Sequence, residues 1–366
     1  MRAVAVAEPR WQLLDTGLRR AAENMAFNRA LLEARQAHEI PNTLRFLQFT
    51  PCALVGFHQS VAQELRVDYC QAHGIDIQRR ITGGGAIYFD QTQIGWELYL
   101  DRKTVGTGDM LEIARRICEM AARGISRLGV DARFRPRNDI EVDGRKISGT
   151  GGAFDGDAIL YQGTLLIDFD VERMLRVLRI PAEKLSDKAI ASARERVVNL
   201  KDLLGVAPAF AAVKQALAAE FAQGFGIEFE PVDASAREGE RFNAALREID
   251  TPEWVYQHDR PLSDTRVIEG IHKTQGGLLR ISLAVDTVKR RIKQAWITGD
   301  VFVNPKRMLV DLEAALRDSP LDDYARTVER FFAHYPVEML LLTRTDFINL
   351  IAGALATLDG AREAAP

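Results

Sequence analysis

The residues best able to do chemistry fall into two short stretches. In the first, Arg79-Arg80-Ile81-Thr82 runs into Gly83-Gly84-Gly85 and on through Ala86-Ile87-Tyr88-Phe89. In the second, Asn138-Asp139 precedes Lys146, which is followed by Gly149, Gly151 and Gly152. Consecutive glycines cost conformational entropy and contribute no side chain. They suit a backbone that must approach something closely, with its N–H groups forming an anion-binding concavity. Arg79 or Arg80 adds a planar fork for a phosphate or carboxylate. Asn138 and Asp139 offer hard oxygens of the kind Mg²⁺ takes alongside its waters. Lys146 is a point charge suited to sit between a carboxylate and a phosphate, where attack at phosphorus builds negative charge. Taken singly, the glycine run is equally a flexible loop, and each charged group is more often solvated surface. Their joint occurrence points to activation of a carboxylic acid by a nucleotide. The spacing is neither that of a Walker loop, with Lys directly after its glycines, nor a Rossmann fingerprint.

The elements needed to position these residues are legible in the pattern. Asp15 to His38 reads as a helix, and Leu44–Phe49 with Cys52–Phe57 as paired strands. A polar helix over Ser60–Ala72 ends at Gly74, and a strand from Ile75 to Ile81 delivers the chain into the glycine triplet. Ala86–Phe89 continues as a strand. Ile94–Asp101 alternates with period two, with Ile94, Trp96, Leu98 and Leu100 on one face and Glu97, Tyr99 and Asp101 on the other, which predicts a half-buried antiparallel strand. Asp109 and Glu112 open a helix that turns Leu111, Ala114, Cys118, Ala121, Ile125 and Leu128 inward and stops at Gly129. Asp143-Gly144 predicts a tight hairpin that carries Asn138-Asp139 on its incoming strand and Lys146 on its outgoing one. Ala158–Asp168 is a further strand, interrupted at Gln162-Gly163. Ala209–Phe221 reads as a helix, Pro231–Glu240 as a linker, and the remainder as a smaller unit with strands near Gly277–Asp286 and Ile292–Ile297 before helices to Leu358. The fold class is therefore α+β, mainly antiparallel, with a catalytic domain over 1–235 and a smaller α+β accessory domain over 236–366.

At 366 residues two domains are the default. Apolar residues at 47% and charged residues at 27% are ordinary for a soluble protein, and a net charge of −3 gives no reason to expect nucleic acid. Cys52, Cys70 and Cys118 show no metal spacing and no pairing logic, which favours a reducing compartment and a structural role for each. The apolar run in residues 1–9 is too short for a signal peptide, and no run approaches a membrane span. A cytoplasmic location is expected.

The chain resembles the A-type lipoate–protein ligases of the biotin/lipoate ligase and octanoyltransferase superfamily. The matching segments, in order, are Arg79-Arg80-x-Thr-Gly-Gly-Gly-Ala-Ile-Tyr, Arg137-Asn138-Asp139-Ile140, Asp143-Gly144-Arg145-Lys146-Ile147-Ser148-Gly149 and Gly163-Thr164-Leu165-Leu166. Lys188-x₃-Ser192-x-Arg194-x-Arg196-Val197-x-Asn199-Leu200 and Glu253-Trp254-x-Tyr256 complete the set. The resemblance implies ATP and Mg²⁺ as cofactors, lipoate as substrate, and acyl transfer through an acyl-adenylate to a lysine of a lipoyl-carrier domain. It puts Arg80, Gly83, Gly84, Gly85, Ala86, Ile87 and Tyr88, with Gly149 and Thr164, around the acyl group and nucleotide. It puts Asn138 and Asp139 near the phosphates, with Asp139 toward the metal, and Lys146 on both acyl carbonyl and phosphate. Phe89, Trp96 and Leu98 are candidate walls of an apolar tunnel. The glycine triplet and the lysine hairpin are expected to face one cavity. Phe89 and Tyr161-Gln162 stand where the family commonly has histidines.

An octanoyltransferase of the same fold would need a cysteine nucleophile near the lysine loop, yet Arg133-Phe134-Arg135-Pro136-Arg137 holds no thiol. A biotin ligase would alternate arginines within its glycine loop. A non-catalytic lipoate- or adenylate-binding scaffold is the reading from a different class.

Overall fold

In the computed structural model, which describes residues 10–136, 138–179, 194–259 and 267–363, the Asp143-Gly144 turn closes as expected. Both residues take positive φ (50° and 73°), the twist a two-residue hairpin needs between right-handed strands. The first unit carries the strands β1 (Arg10–Arg19), β2 (Thr43–Phe49), β3 (Cys52–Val55), β4 (Asp76–Arg79), β5 (Ile87–Phe89), β6 (Gln93–Asp101), β7 (Ala132–Arg135), β8 (Asp139–Val142), β9 (Arg145–Asp155), β10 (Ala158–Leu166) and β11 (Glu228–Val232). An eight-stranded sheet runs β11-β1-β2-β6-β10-β9-β8-β7, and a smaller one β4-β3-β5. In the large sheet pairing is antiparallel except where β1 lies parallel to β2 and to β11.

Helices cover both faces of the large sheet. Met110–Ser126 and Phe210–Phe225 bury Ile117, Leu217 and Phe221 against Trp96 and Leu98 on one face. Ala21–Gln36 and Glu240–Ile249 bury Phe27 and Phe242, rings 4.5 Å apart, against Tyr99 and Leu160 on the other. β6 is therefore buried along its whole length rather than on one face. Its second face is polar but sealed: Arg45 meets Glu97 at 2.9 Å, and Arg35 meets Asp101 at 2.6 Å.

Four other expectations change. Asp15–Arg19 belongs to β1 and the helix begins at Ala21, because Leu14 pairs into the sheet beside β2. β2 and β3 enter different sheets. The glycine at 163 does not interrupt β10; Trp96 lies across it, where a Cβ would come within 2.3 Å of the indole. Residues 231–240 are no free linker, since Pro231 and Val232 pair with Leu13 and Leu14.

The chain divides into two units, the first up to Leu54 with Leu65–Ile81 and Ile87–Val255, the second Val55–Glu64, Thr82–Ala86 and Tyr256 onward. The division falls after Val255, beyond the boundary expected at 235, because Phe242, Ala245 and Ile249 pack into the first unit. The second unit has an antiparallel meander of β12 (Val267–Lys273), β13 (Leu278–Asp286) and β14 (Arg291–Gly299), backed by helices Met308–Leu316 and Arg344–Glu363. A two-stranded pair, β15 (Val303–Asn304) with β16 (Glu338–Met339), completes it. Among the described residues no helix is long and apolar enough to cross a membrane.

Candidate active site

The turn chemistry of Asp143-Gly144 fixes β8 against β9 and so brings Asp139 and Lys146 together. A bulge between Ile140 and Glu141 adjusts the register, pairing Ile140 with Ser148 but Glu141 with Lys146. Such an extra residue re-aims a side chain. Ile147 turns into the core, and Lys146 Nζ reaches Asp139 Oδ1 at 2.7 Å. The carboxylate's other oxygen accepts from Arg135 Nη2 at 2.5 Å across the β7–β8 turn. Burial pushes the Asp139 carboxyl up, but Lys146 and Arg135 outweigh it and hold the group below its ordinary range. The Lys146 side chain remains 37% exposed, so its cation is within reach of a substrate.

Gly149 sits beneath that lysine. A Cβ there would stand 2.8 Å from Lys146 Nζ, so a side chain at 149 would displace the ammonium. The Gly149 N–H meets Thr164 Oγ1 at 3.3 Å, tying β9 to β10 under the site. The second glycine cluster is thus part of a continuous strand. Lys146 is also anchored by its backbone, donating to Arg196 O (2.8 Å) and accepting from Val198 (2.9 Å). That joins the hairpin to the Arg194–Leu200 motif. Arg137, Lys188 and Ser192 of the matching segments, and the N-terminal run 1–9, lie outside the described residues.

Asn138 is held by Thr150. The Thr150 N–H and hydroxyl both donate to Asn138 O (2.7 and 3.0 Å), and Asn138 Nδ2 donates to Thr150 O (2.9 Å). One carboxylate and one amide oxygen at a strand start suit Mg²⁺, which takes its remaining ligands from phosphate and water.

The first glycine stretch is packed differently from the expectation of open donors. The triplet groups with the second unit, where a Cβ on Gly83 would come 2.3 Å from Val301 O, and Gly84 holds φ at 92°. Close backbone packing is thus one reason for glycine here. The two arginines before it are buried. Arg79 forks onto the Val255 carbonyl at 2.7 and 3.0 Å, and Trp254 Nε1 returns a bond to Arg79 O at 3.1 Å. Arg80 donates to Leu54 O at 3.1 Å, and burial lowers its pKa to about 10. Neither fork is presented to solvent. Tyr88 is buried with its hydroxyl on Asp90 at 3.0 Å, beside the partly buried Ala86 and Ile87.

The three tunnel candidates do not come together. Trp96 and Leu98 sit under the Met110–Ser126 helix with Phe221, whereas Phe89 packs on Phe49 in the other core. Thr150, Cys118 and Tyr161 form a closed triangle on the face covered by the Met110–Ser126 helix: Cys118 Sγ to Tyr161 OH 3.2 Å, Cys118 Sγ to Thr150 Oγ1 3.4 Å, Thr150 Oγ1 to Tyr161 OH 3.0 Å. All three cysteines are buried, and burial pushes Cys118 and Cys70 to about 11 and Cys52 well above its usual range.

Arg135 and Thr150 were not anticipated. The former had a readable signal, since Pro136 after Arg135 marks a turn that places Arg135 opposite Asp139. The latter depends on strand register, which the sequence alone leaves open.

Comparison with known proteins relates the chain to lipoate ligases and octanoyltransferases. Octanoyltransferase LipM of Kyrpidia tusciae is 31% identical over 271 residues, covering 68% of this chain and 98% of the relative. A bipartite lipoate protein ligase of Thermoplasma acidophilum, solved in a study of it and its E2 lipoyl domain, superposes with a TM-score of 0.57 at 28% identity, covering 70% of this chain and 99% of that one. The fold of P. falciparum LipL1, crystallised with lipoate, is shared over 90% of this chain and 95% of that one, with a TM-score of 0.71 at 18% identity. Residues 20–222 match the profile of the lipoyl protein ligase A/B catalytic domain, and the chain belongs to that family.

Proposed function

We propose that the protein is an ATP-dependent lipoate–protein ligase, activating lipoate or octanoate as the acyl-adenylate and passing the acyl group to a lysine of a lipoyl-carrier domain. The observation that carries this reading is the pairing of Lys146 with Asp139 beside a hairpin that holds no thiol. A free carboxylic acid needs its oxygen made into a leaving group before an amine can displace it, and ATP supplies that activation. Lys146, already charged and oriented by Asp139, moves its ammonium onto the developing negative charge of the acyl carbonyl and phosphate. Arg135 keeps Asp139 neutralised while the lysine is engaged. Asn138 and Asp139 would hold Mg²⁺ on the triphosphate. Arg80, Gly83 to Gly85, Ala86, Ile87, Tyr88 and Thr164 are assigned to acyl and nucleotide contacts by resemblance.

The second reading is octanoyl transfer from a carrier thioester, favoured by the LipM similarity. It requires a thiolate. Cys118 faces the core with Tyr161, on the side of β9 away from Lys146 and Gly149, and its raised pKa disfavours the thiolate. Mass spectrometry of a lipoyl-carrier domain incubated with enzyme, ATP and lipoate separates the two. A lipoylated lysine that needs ATP supports the ligase. Octanoylation from octanoyl carrier protein without ATP, together with no product from lipoate and ATP, overturns it.

A further inference from the structure

We infer that Tyr161 is a positioning residue for the acyl-activating site, acting through Thr150 on the Asn138–Asp139 pair; this rests on the ligase reading. The path is continuous. The Tyr161 hydroxyl lies 3.0 Å from Thr150 Oγ1, and Thr150 Oγ1 donates to Asn138 O at 3.0 Å. The next residue, Asp139, holds Lys146 at 2.7 Å.

Three features make this more than a core hydrogen bond. Tyr161 and Thr150 are buried in an otherwise apolar cluster, where an unsatisfied hydroxyl is costly, so the triangle with Cys118 fixes the rotamers of both. Thr150 grips Asn138 by backbone and side chain together, so the start of β8 is tied to the helix-packed core as well as to the edge strand β7. The reacting lysine itself lies on the opposite face and touches none of these groups. A buried phenol thus sets the placement of a partly exposed ion pair from behind the sheet. Arg135 grips Asp139 from the other end, and the carboxylate is located between two supports.

The test is lipoate-dependent exchange of pyrophosphate into ATP, together with the acetylation rate of Lys146 read by mass spectrometry in competition with the protein's other lysines. Tyr161→Phe is expected to lower kcat for exchange about tenfold, as misplacement of a catalytic group does, with KM for lipoate and ATP unchanged. It is expected to raise Lys146 acetylation by loosening its hold on Asp139. Thr150→Ser should match the wild type, whereas Thr150→Val should match Tyr161→Phe, and combining Tyr161→Phe with Thr150→Val should be no worse than either alone. A Tyr161→Phe enzyme with wild-type kcat and wild-type Lys146 acetylation overturns the inference. So does a loss confined to KM. Wild-type protein without exchange refutes the ligase reading instead, and the acetylation comparison then still decides whether Tyr161 positions Lys146.

Discussion

Two ion pairs in the same sheet have opposite fates. Arg45 and Glu97 lie between β2 and β6, 0% and 3% exposed, and every direction around them is filled. Arg45 also donates to Thr16 and Asn24, Glu97 accepts from Asn28 (2.6 Å) and Tyr99 (2.6 Å), and the guanidinium rests 4.7 Å over the Phe27 ring. Asp139 and Lys146 sit toward the sheet's far end, 18% and 37% exposed, with the lysine held by one carboxylate. A saturated, dry pair has no partner to exchange and serves the fold. A pair that water can reach, whose lysine is held by one carboxylate, has room to exchange its partner. The same pairing of a cation with a carboxylate therefore carries different meaning according to how completely its hydrogen bonds are used.

The contrast can be broken most severely at the buried pair. Glu97→Gln leaves Arg45 buried and uncompensated and should cost about 3–5 kcal/mol of stability, read by denaturant unfolding. Lys146→Ala should do the reverse: stability changes by no more than about 1 kcal/mol, while carrier acylation falls by about 10²–10³-fold. A third carboxylate sharpens the comparison. Glu313 is partly buried with no ion pair among the described residues, accepts from the Ile297 N–H at 2.6 Å, and burial raises its pKa from 4.5 to about 7. Its folded pKa exceeds its unfolded one, so the native state binds more protons between those values. Stability should therefore fall by about 2 kcal/mol as pH rises from about 4.5 to 7, and Glu313→Gln should flatten that slope in a pH series of unfolding curves. The smallest effect is expected at Gly149→Ala, which pushes only the flexible end of Lys146. Turnover should drop about tenfold with the melting temperature nearly unchanged.

The hairpin part of the candidate site was legible because its signals are local. Asp143-Gly144 dictates a tight hairpin, and that hairpin, adjusted by one bulge, brings Asp139 to Lys146. The Asp109 cap, accepting from Glu112 N at 2.8 Å, likewise starts its helix where the sequence says. What was not legible depends on distant partners. β6 alternates like a half-solvated strand, yet Glu97, Tyr99 and Asp101 are covered by a helix whose own sequence gives no hint of Arg45 beneath it. The glycine triplet reads as an anion cradle, but Gly83 also answers to Val301, a neighbour more than two hundred positions away. Arg79 reads as a free fork until Val255 is found in its grasp.

The most direct measurement isolates the first half-reaction: lipoate-dependent exchange of pyrophosphate into ATP by Lys146→Ala protein whose unfolding curve overlays that of the wild type. Exchange by the wild type and its near-complete loss in the variant are the predicted result. Exchange at the wild-type rate in the variant would contradict a catalytic role for the Asp139–Lys146 pair.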